Sequence, residues 1–182
     1  MKRLLQSLAA GVALAGAGLV TTAGAQPPAQ PGAEHKRLEY FVGKWTTEGK
    51  VEAGPMGPGG TMTSTDTCEW FEGRFAVICR SEGKTPMGPM KSLGIIAYSP
   101  DTKTYTYYGV DSSGMTMTTV PQGTVQGKTW TFTDESMMGG QKMKSRVTIT
   151  EVSPTEQTFK MEIQGPDGKW MQVMESKGKK IK

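Results

Sequence analysis

Cys68-Glu69-Trp70-Phe71-Glu72-Gly73-Arg74-Phe75-Ala76-Val77-Ile78-Cys79 is the stretch from which the architecture of this chain can be read. Apolar and aromatic residues run up to Phe71 and resume at Phe75, and glycine at position 73 suits the first central position of a type II′ hairpin turn at Gly73-Arg74. Counting outward, 72 faces 75, 70 faces 77 and Cys68 faces Cys79. Residues opposed across antiparallel strands have Cα atoms about 4.5–5.5 Å apart, inside the reach of a disulfide. The register therefore predicts a Cys68–Cys79 bridge, with roughly 3 kcal/mol from closing so short a loop. A turn at Glu72-Gly73 would slip the register and leave two buried free thiols.

The same alternation continues on both sides. Strands are expected at 44–51, 61–71, 74–82, 91–99, 103–111, 115–126, 128–134, 141–151, 158–164 and 169–177, about ten in all. Ser99-Pro100-Asp101-Thr102, Ser112-Ser113-Gly114, Gln126-Gly127, Ser153-Pro154-Thr155 and Gly165-Pro166-Asp167-Gly168 supply turn chemistry. Such short links force neighbouring strands to be antiparallel. A long twisted meander loses its open edges by closing on itself, so the expected fold is all-β, an up-and-down barrel over 34–178. Before it, Leu38, Phe41 and Val42 share the apolar face of a short helix over 34–42, a lid or plug stopped by Gly43. Two Met-Gly-Pro-bearing segments, 53–60 and 83–90, are read as long loops on one rim, a candidate barrel mouth. Lys179 to Lys182 is read as a solvated basic tail.

Residues 1–25 have the form of an export signal: Lys2 and Arg3, a 13-residue apolar stretch from Leu8 to Val20, and Ala23-Gly24-Ala25 as a cleavage site before Gln26. A membrane-spanning helix needs about 20 residues, so no stable membrane insertion is expected. Residues 26–33 form a Pro-rich leader. The expectation is a periplasmic or secreted protein, in a compartment where a disulfide persists. The net charge is +4, and loss of Lys2 and Arg3 leaves 19 basic against 17 acidic side chains, too weak a balance for a nucleic-acid partner. Oligomeric state is not legible.

One His and two Cys are too few for most catalytic or zinc constellations, so no catalytic residue and no cofactor is assigned. His35 reads as a packed or capping residue. Gly123 to Thr129 lacks the spacing and the following helix of a phosphate loop. Ser81-Glu82-Gly83-Lys84 has the spacing of a penicillin-binding serine and lysine without their partner motifs. Asp111-Ser112-Ser113-Gly114 lacks the closing glutamate of a calcium loop and reads as a turn. The aromatic residues Tyr105 and Tyr107 share one strand face, and Trp130 and Phe132 another; they either pack the barrel interior or line a cavity in it. With Met87 and Met90 from the second loop, they form the candidate ligand site. The chain has 13 methionines, several in groups. Pliable lining for an apolar ligand is one use of them, and soft ligation of cuprous ion is another, for which Met115, Met117, Met137 and Met138 are the candidates.

Gly43-Lys44-Trp45, opening the first strand after the Leu38 segment, resembles the Gly-x-Trp start of lipocalin-like barrels, which implies that Trp45 packs structurally across a closed end. The order of Gly43-x-Trp45, the Gly73 hairpin, the Gly-Pro segment near Met87, Tyr98-Ser99-Pro100-Asp101 with Tyr105, Asp111 to Gly114, and Met171 to Glu175 resembles the bacterial domain of unknown function 1579 family over 34–178. The chain departs from that pattern at Gly109 and Met90, where aromatics are expected. The resemblance implies a lipocalin-like barrel and carries over no catalytic residue. Together these readings lead to an exported, non-enzymatic barrel holding a small apolar or amphipathic ligand. The alternatives are a periplasmic copper(I) protein and an envelope interaction or stress protein with a filled barrel.

Overall fold

The computed structural model describes residues 30–54, 57–114, 119–138, 141–165 and 167–182. The leader, apart from residues 30–33, and the whole signal segment lie outside these. Alternating β-branched, aromatic and polar residues build ten antiparallel strands: β1 (Gly43–Val51), β2 (Gly60–Trp70), β3 (Ala76–Thr85), β4 (Gly88–Ser99), β5 (Thr104–Asp111), β6 (Gln122–Gln126), β7 (Thr129–Met138), β8 (Gln141–Ser153), β9 (Glu156–Gln164) and β10 (Trp170–Lys180). Each pairs with its neighbour in sequence, and β1 also pairs with β10, from Trp45 opposite Lys180 to Val51 opposite Met174. The meander is thereby a closed barrel with no open edge. Among the described residues its narrowest seam is β5–β6, held by the pairs Tyr105–Gly123 and Thr106–Gln122.

The β2–β3 hairpin has the expected register, with Cys68 opposite Cys79 and Trp70 opposite Val77. The two sulfurs are bonded, and the Cα atoms stand 4.0 Å apart. The turn differs from type II′. Glu72–Arg74 form a short 3-10 turn in which both Gly73 (φ 79°) and Arg74 (φ 59°) are left-handed, and the Arg74 N–H donates to the Phe71 carbonyl at 2.9 Å. Glycine serves here because its conformation needs no Cβ clearance.

Two expectations are corrected. Segment 83–90 is not a loop: Gly83 pairs with Met90, Lys84 with Pro89 and Thr85 with Gly88, leaving Pro86-Met87 as the turn. The glycines and prolines that suggested a loop are absorbed by ladder positions that tolerate them. Lys179 to Lys182 is not a solvated tail either. β10 continues to Lys180, the Lys44 N–H donates to the Lys182 carbonyl at 2.9 Å, and Ile181 N–H donates to the Lys44 carbonyl at 2.7 Å. Closure against β1 gives these lysines backbone partners that a free tail lacks.

Turns alternate between the two ends, and one end is stoppered. Helix α1 (Ala33–Lys36) and a following 3-10 turn (Arg37–Phe41) lie across it, where a single helix over 34–42 was expected. Leu38 is fully buried and Phe41 nearly so, in a cluster with Cys68, Val77, Ile96, Tyr105, Trp130 and Phe132. The Phe41 and Trp130 ring centroids are 4.9 Å apart, and those of Tyr105 and Trp130 are 4.8 Å apart. Trp45, 2% exposed, donates its indole N–H to the Phe41 carbonyl at 2.9 Å, so the first strand is tied to the plug. Burial of these rings at about 1.5–3 kcal/mol apiece makes this end the principal source of stability.

Candidate functional site

Side chains alternate between the two faces of each strand, so the inward face can be followed from the aromatic cluster toward the opposite end. On β2 it passes from Cys68 to Asp66, Ser64 and Met62, and on β3 from Cys79 to Ser81 and Gly83. On β4 it passes from Ile96 to Gly94, Ser92 and Met90, and on β5 from Tyr107 to Gly109 and Asp111. Beyond Phe132, β7 carries Asp134 and Ser136; β8 carries Ser145 and Met143; β9 carries Met161 and β10 Met174. Large buried rings thus give way mostly to Ser, Gly, Asp and Met, which apart from the buried Gly94 are half-buried, although Ile163 on β9, opposite Ser145, is fully buried.

The strand pairings align four of these positions. Asp66 lies opposite Ser81, Ser81 opposite Ser92 and Ser92 opposite Asp111, giving one inward row across β2, β3, β4 and β5. The Asp66 carboxylate accepts hydrogen bonds from the Thr47 hydroxyl (3.0 Å) and the Ser64 hydroxyl (3.1 Å). Asp111 accepts the Ser113 N–H at 2.7 Å, which is the turn expected of that segment. Asp134, in the next strand pair but one, accepts the Thr119 hydroxyl.

Tyr107 reaches this row from below. Its ring lies over Gly94 and Gly109, where added Cβ atoms would stand 2.9 Å from its Cε2 and 3.0 Å from its hydroxyl oxygen respectively. The departure from the family pattern at Gly109 is therefore a close approach: the glycine makes room for the phenol. Burial pushes the Tyr107 phenol above its ordinary value, and the Asp66 and Asp111 charges push it in the same direction.

The other sequence candidates separate into three places. Tyr105, Trp130 and Phe132 belong to the plugged end, at 3%, 0% and 5% exposure, and pack against the cap. The Tyr105 hydroxyl donates to the Glu34 carbonyl at 3.0 Å, and the Trp130 indole N–H donates to Glu151, which also pairs with Arg37. Met90 lies on the inward face of the half away from the cap. Met87 sits in the β3–β4 turn, 59% exposed, with its Sδ 3.1 Å from where a Cβ on Gly57 would be, so the two Met-Gly-Pro segments do meet on one rim. Of the copper candidates, Met137 is 60% exposed; Met115, Met117 and the Met138 side chain lie outside the described residues. Among the described residues no group of three or more His, Cys, Asp or Glu side chains is placed to hold a metal ion.

His35 is spent in the cap. Its Nδ1 accepts the Gly32 N–H at 3.2 Å and its ring stands edge-on to Phe75 and Tyr98. A groove of about 1140 Å³ lies on the outer wall, across β2, β1, β10, β9 and β8. Its charges alternate in facing pairs, Glu48 with Lys177, Lys50 with Glu175 and Lys179 with Glu156. Such ladders neutralise one another and describe a solvated wall rather than a directed field. The sequence reading missed the Asp66–Ser81–Ser92–Asp111 row. The cystine register, extended two residues outward from Cys68 and Cys79, would have aligned its first pair.

A family model described as a protein of unknown function (DUF1579) matches residues 30–180. No curated protein sequence matches the chain. Among solved structures, that of Rv2717c from M. tuberculosis aligns with a TM-score of 0.58 at 10% identity, over 83% of this chain and 99% of its own. The S-type phycobiliprotein lyase CPES from Guillardia theta aligns at 0.56 and 13% identity, over 82% and 93%. At such identities the likeness is one of fold, a lipocalin-like barrel.

Proposed function

We propose that this chain, which belongs to the DUF1579 family of proteins of unknown function, is an exported, non-enzymatic barrel that binds one small apolar or amphipathic molecule at its open end. The observation that carries this reading is the change in the inward face. One half of the barrel is filled by rings and a cap, while the other presents Met62, Met90, Met143, Met161 and Met174 beside serines and glycines at positions solvent still reaches. Barrels of this size hold at most one small ligand, and pliable thioethers accommodate varied apolar shapes. Exposed Met87, Val120, Met137 and Met171 stand at the same end, an apolar rim for an incoming molecule. Export is supported by the signal-like segment before Gln26 and by the cystine, which suits an oxidising compartment. The absence of catalysis is supported by the placement of the sole imidazole in the cap, away from the open end.

Native mass spectrometry, with a denatured control, on unreduced protein purified from its own host tests the reading. The denatured mass is expected to begin at Gln26 and to be two hydrogens lighter than after reduction, and the native mass to carry a discrete organic adduct. A bare native mass, or a copper-sized increment in place of the adduct, contradicts it.

A further inference from the structure

We propose that the rim away from the cap is an oxidant sink: its surface methionines take up the oxygen of hypohalous acid as sulfoxides, and a dithiol-dependent reductase returns them to thioethers. No bound ligand takes part, so the inference goes beyond the binding reading and does not rest on it.

The first ground is where methionine is absent. It is among the residue types most often sealed inside proteins. Here every methionine whose side chain is described is exposed or half-buried, and the core is built from rings, Leu, Ile, Val and the Cys68 sulfur. Even in the half away from the cap, the sealed apolar positions are Ile163 and Val173. Sulfoxidation makes this apolar side chain polar, which disrupts a core. With no described methionine in the core, oxygen is added where packing does not depend on it.

The second ground is the placement of the exposed methionines. Met87 lies in the β3–β4 turn, Met137 beside the β7–β8 turn and Met171 beside the β9–β10 turn, so each of these rim hairpins presents a thioether to solvent. The four turns at the capped end, joining β2 to β3, β4 to β5, β6 to β7 and β8 to β9, contain no methionine. Thioethers are thus held away from the plug on which the fold depends.

The third ground is the shielding of the other oxidisable groups. The chain's two cysteines are joined to each other, so no thiol competes. Trp45 and Trp130 are sealed, while Trp70 and Trp170 are half-buried with an arginine guanidinium over each ring. The thioether sulfur attacks the halogen and hydroxide departs; water then adds at sulfur, and halide and protons leave. The net change is thioether plus hypohalous acid giving sulfoxide, halide and one proton, with sulfur losing the two electrons that the halogen gains. Reduction by two thiols gives back the thioether with a disulfide and water. Hydrogen peroxide fits less well, because its unpolarised O–O bond breaks readily only beside a proton donor, and the sole imidazole is held in the cap.

Stepwise addition of hypochlorous acid to the folded, disulfide-bonded protein tests the proposal, read by peptide mapping and near-ultraviolet circular dichroism. Oxygen is expected first at Met87, Met137 and Met171, before any tryptophan is altered and with the aromatic signal unmoved. A methionine sulfoxide reductase with dithiothreitol is expected to restore the original mass. Protein isolated from host cells during a hypochlorite challenge is expected to carry the same three sulfoxides and to have lost them once the cells recover. Loss of the aromatic signal with the first oxygens, tryptophan oxidation ahead of methionine, or sulfoxides that fail to form in challenged cells or persist after recovery overturns the proposal.

Discussion

The inward faces of the two barrel ends differ over a distance of two residues on β2, β3, β7 and β8. Cys68 is followed by Asp66, Cys79 by Ser81, Phe132 by Asp134 and Val147 by Ser145, so a row of rings and sulfurs adjoins a row of hydroxyls and carboxylates. The capped end spends its side chains on contact: Phe41 on Trp130, Tyr98 on Tyr105, and Lys180 over Trp45 with its ammonium donating to the Tyr40 carbonyl at 2.9 Å. Burial lowers the pKa of that lysine. The other end spends its side chains on polarity. The contrast teaches that in a short meander barrel stability and recognition are divided along the axis, because the period of two holds inside positions inside while leaving each layer free to change chemistry.

If the division is right, substitutions should fall into two classes, and the largest effect belongs to the plug. Phe41→Ala removes a ring packed on Trp130 and is expected to cost about 3–5 kcal/mol in urea denaturation, with ligand affinity unchanged wherever the protein remains folded. Next comes the hairpin: Cys68→Ser with Cys79→Ser is expected to cost about 2–4 kcal/mol by the same measurement. Gly94→Ala sits on the boundary. Its new Cβ meets the Tyr107 ring at 2.9 Å, so a loss of about 1–3 kcal/mol is expected together with a changed tyrosine signal in the near-ultraviolet circular dichroism.

A pH scan sharpens the comparison from the capped end. Burial, aided by the Glu151 charge, pushes the Tyr40 phenol up to about 12. A free phenol ionises near pH 10, so the fold favours the neutral form. The sign follows from linkage: the stability it contributes is complete below about pH 10 and is lost as pH rises from there through 12. Ultraviolet absorbance of tyrosinate should show late-titrating tyrosines, Tyr105 and Tyr107 among them, with one fewer in Tyr40→Phe. The smallest expected change in stability is at the rim. Met87→Ala, at a residue 59% exposed, should alter stability by less than about 0.5 kcal/mol yet weaken apolar ligands measurably in calorimetry.

Much of the fold was legible because it is written in period two and in turn chemistry. The Cys68–Cys79 register, the ten strands, the Gly43-x-Trp45 start and the plug at Leu38 and Phe41 all follow from neighbours in sequence. What was not legible depends on pairing partners far apart in the chain. Lys180 reads as tail until β1 lies beside it, and Pro89 reads as loop until Lys84 faces it. The candidate site suffered most from this. Tyr105 and Tyr107 share a strand face, yet one fills the plug and the other reaches the acidic row, a difference set by the cap and by Gly94 on the neighbouring strand. Asp66 and Asp111 are 45 residues apart in sequence and meet only through three successive registers.

The division between a filled end and a binding end is tested most directly by methionine-methyl and indole N–H nuclear magnetic resonance during titration with 1-octanol, a probe without charge. The methyl signals of Met62, Met90, Met143, Met161 and Met174 are expected to shift together, with the indole signals of Trp45 and Trp130 unmoved. Shifts confined to residues on the outer wall, or carried by the Trp45 and Trp130 indoles while the inward methionines stay still, would contradict it.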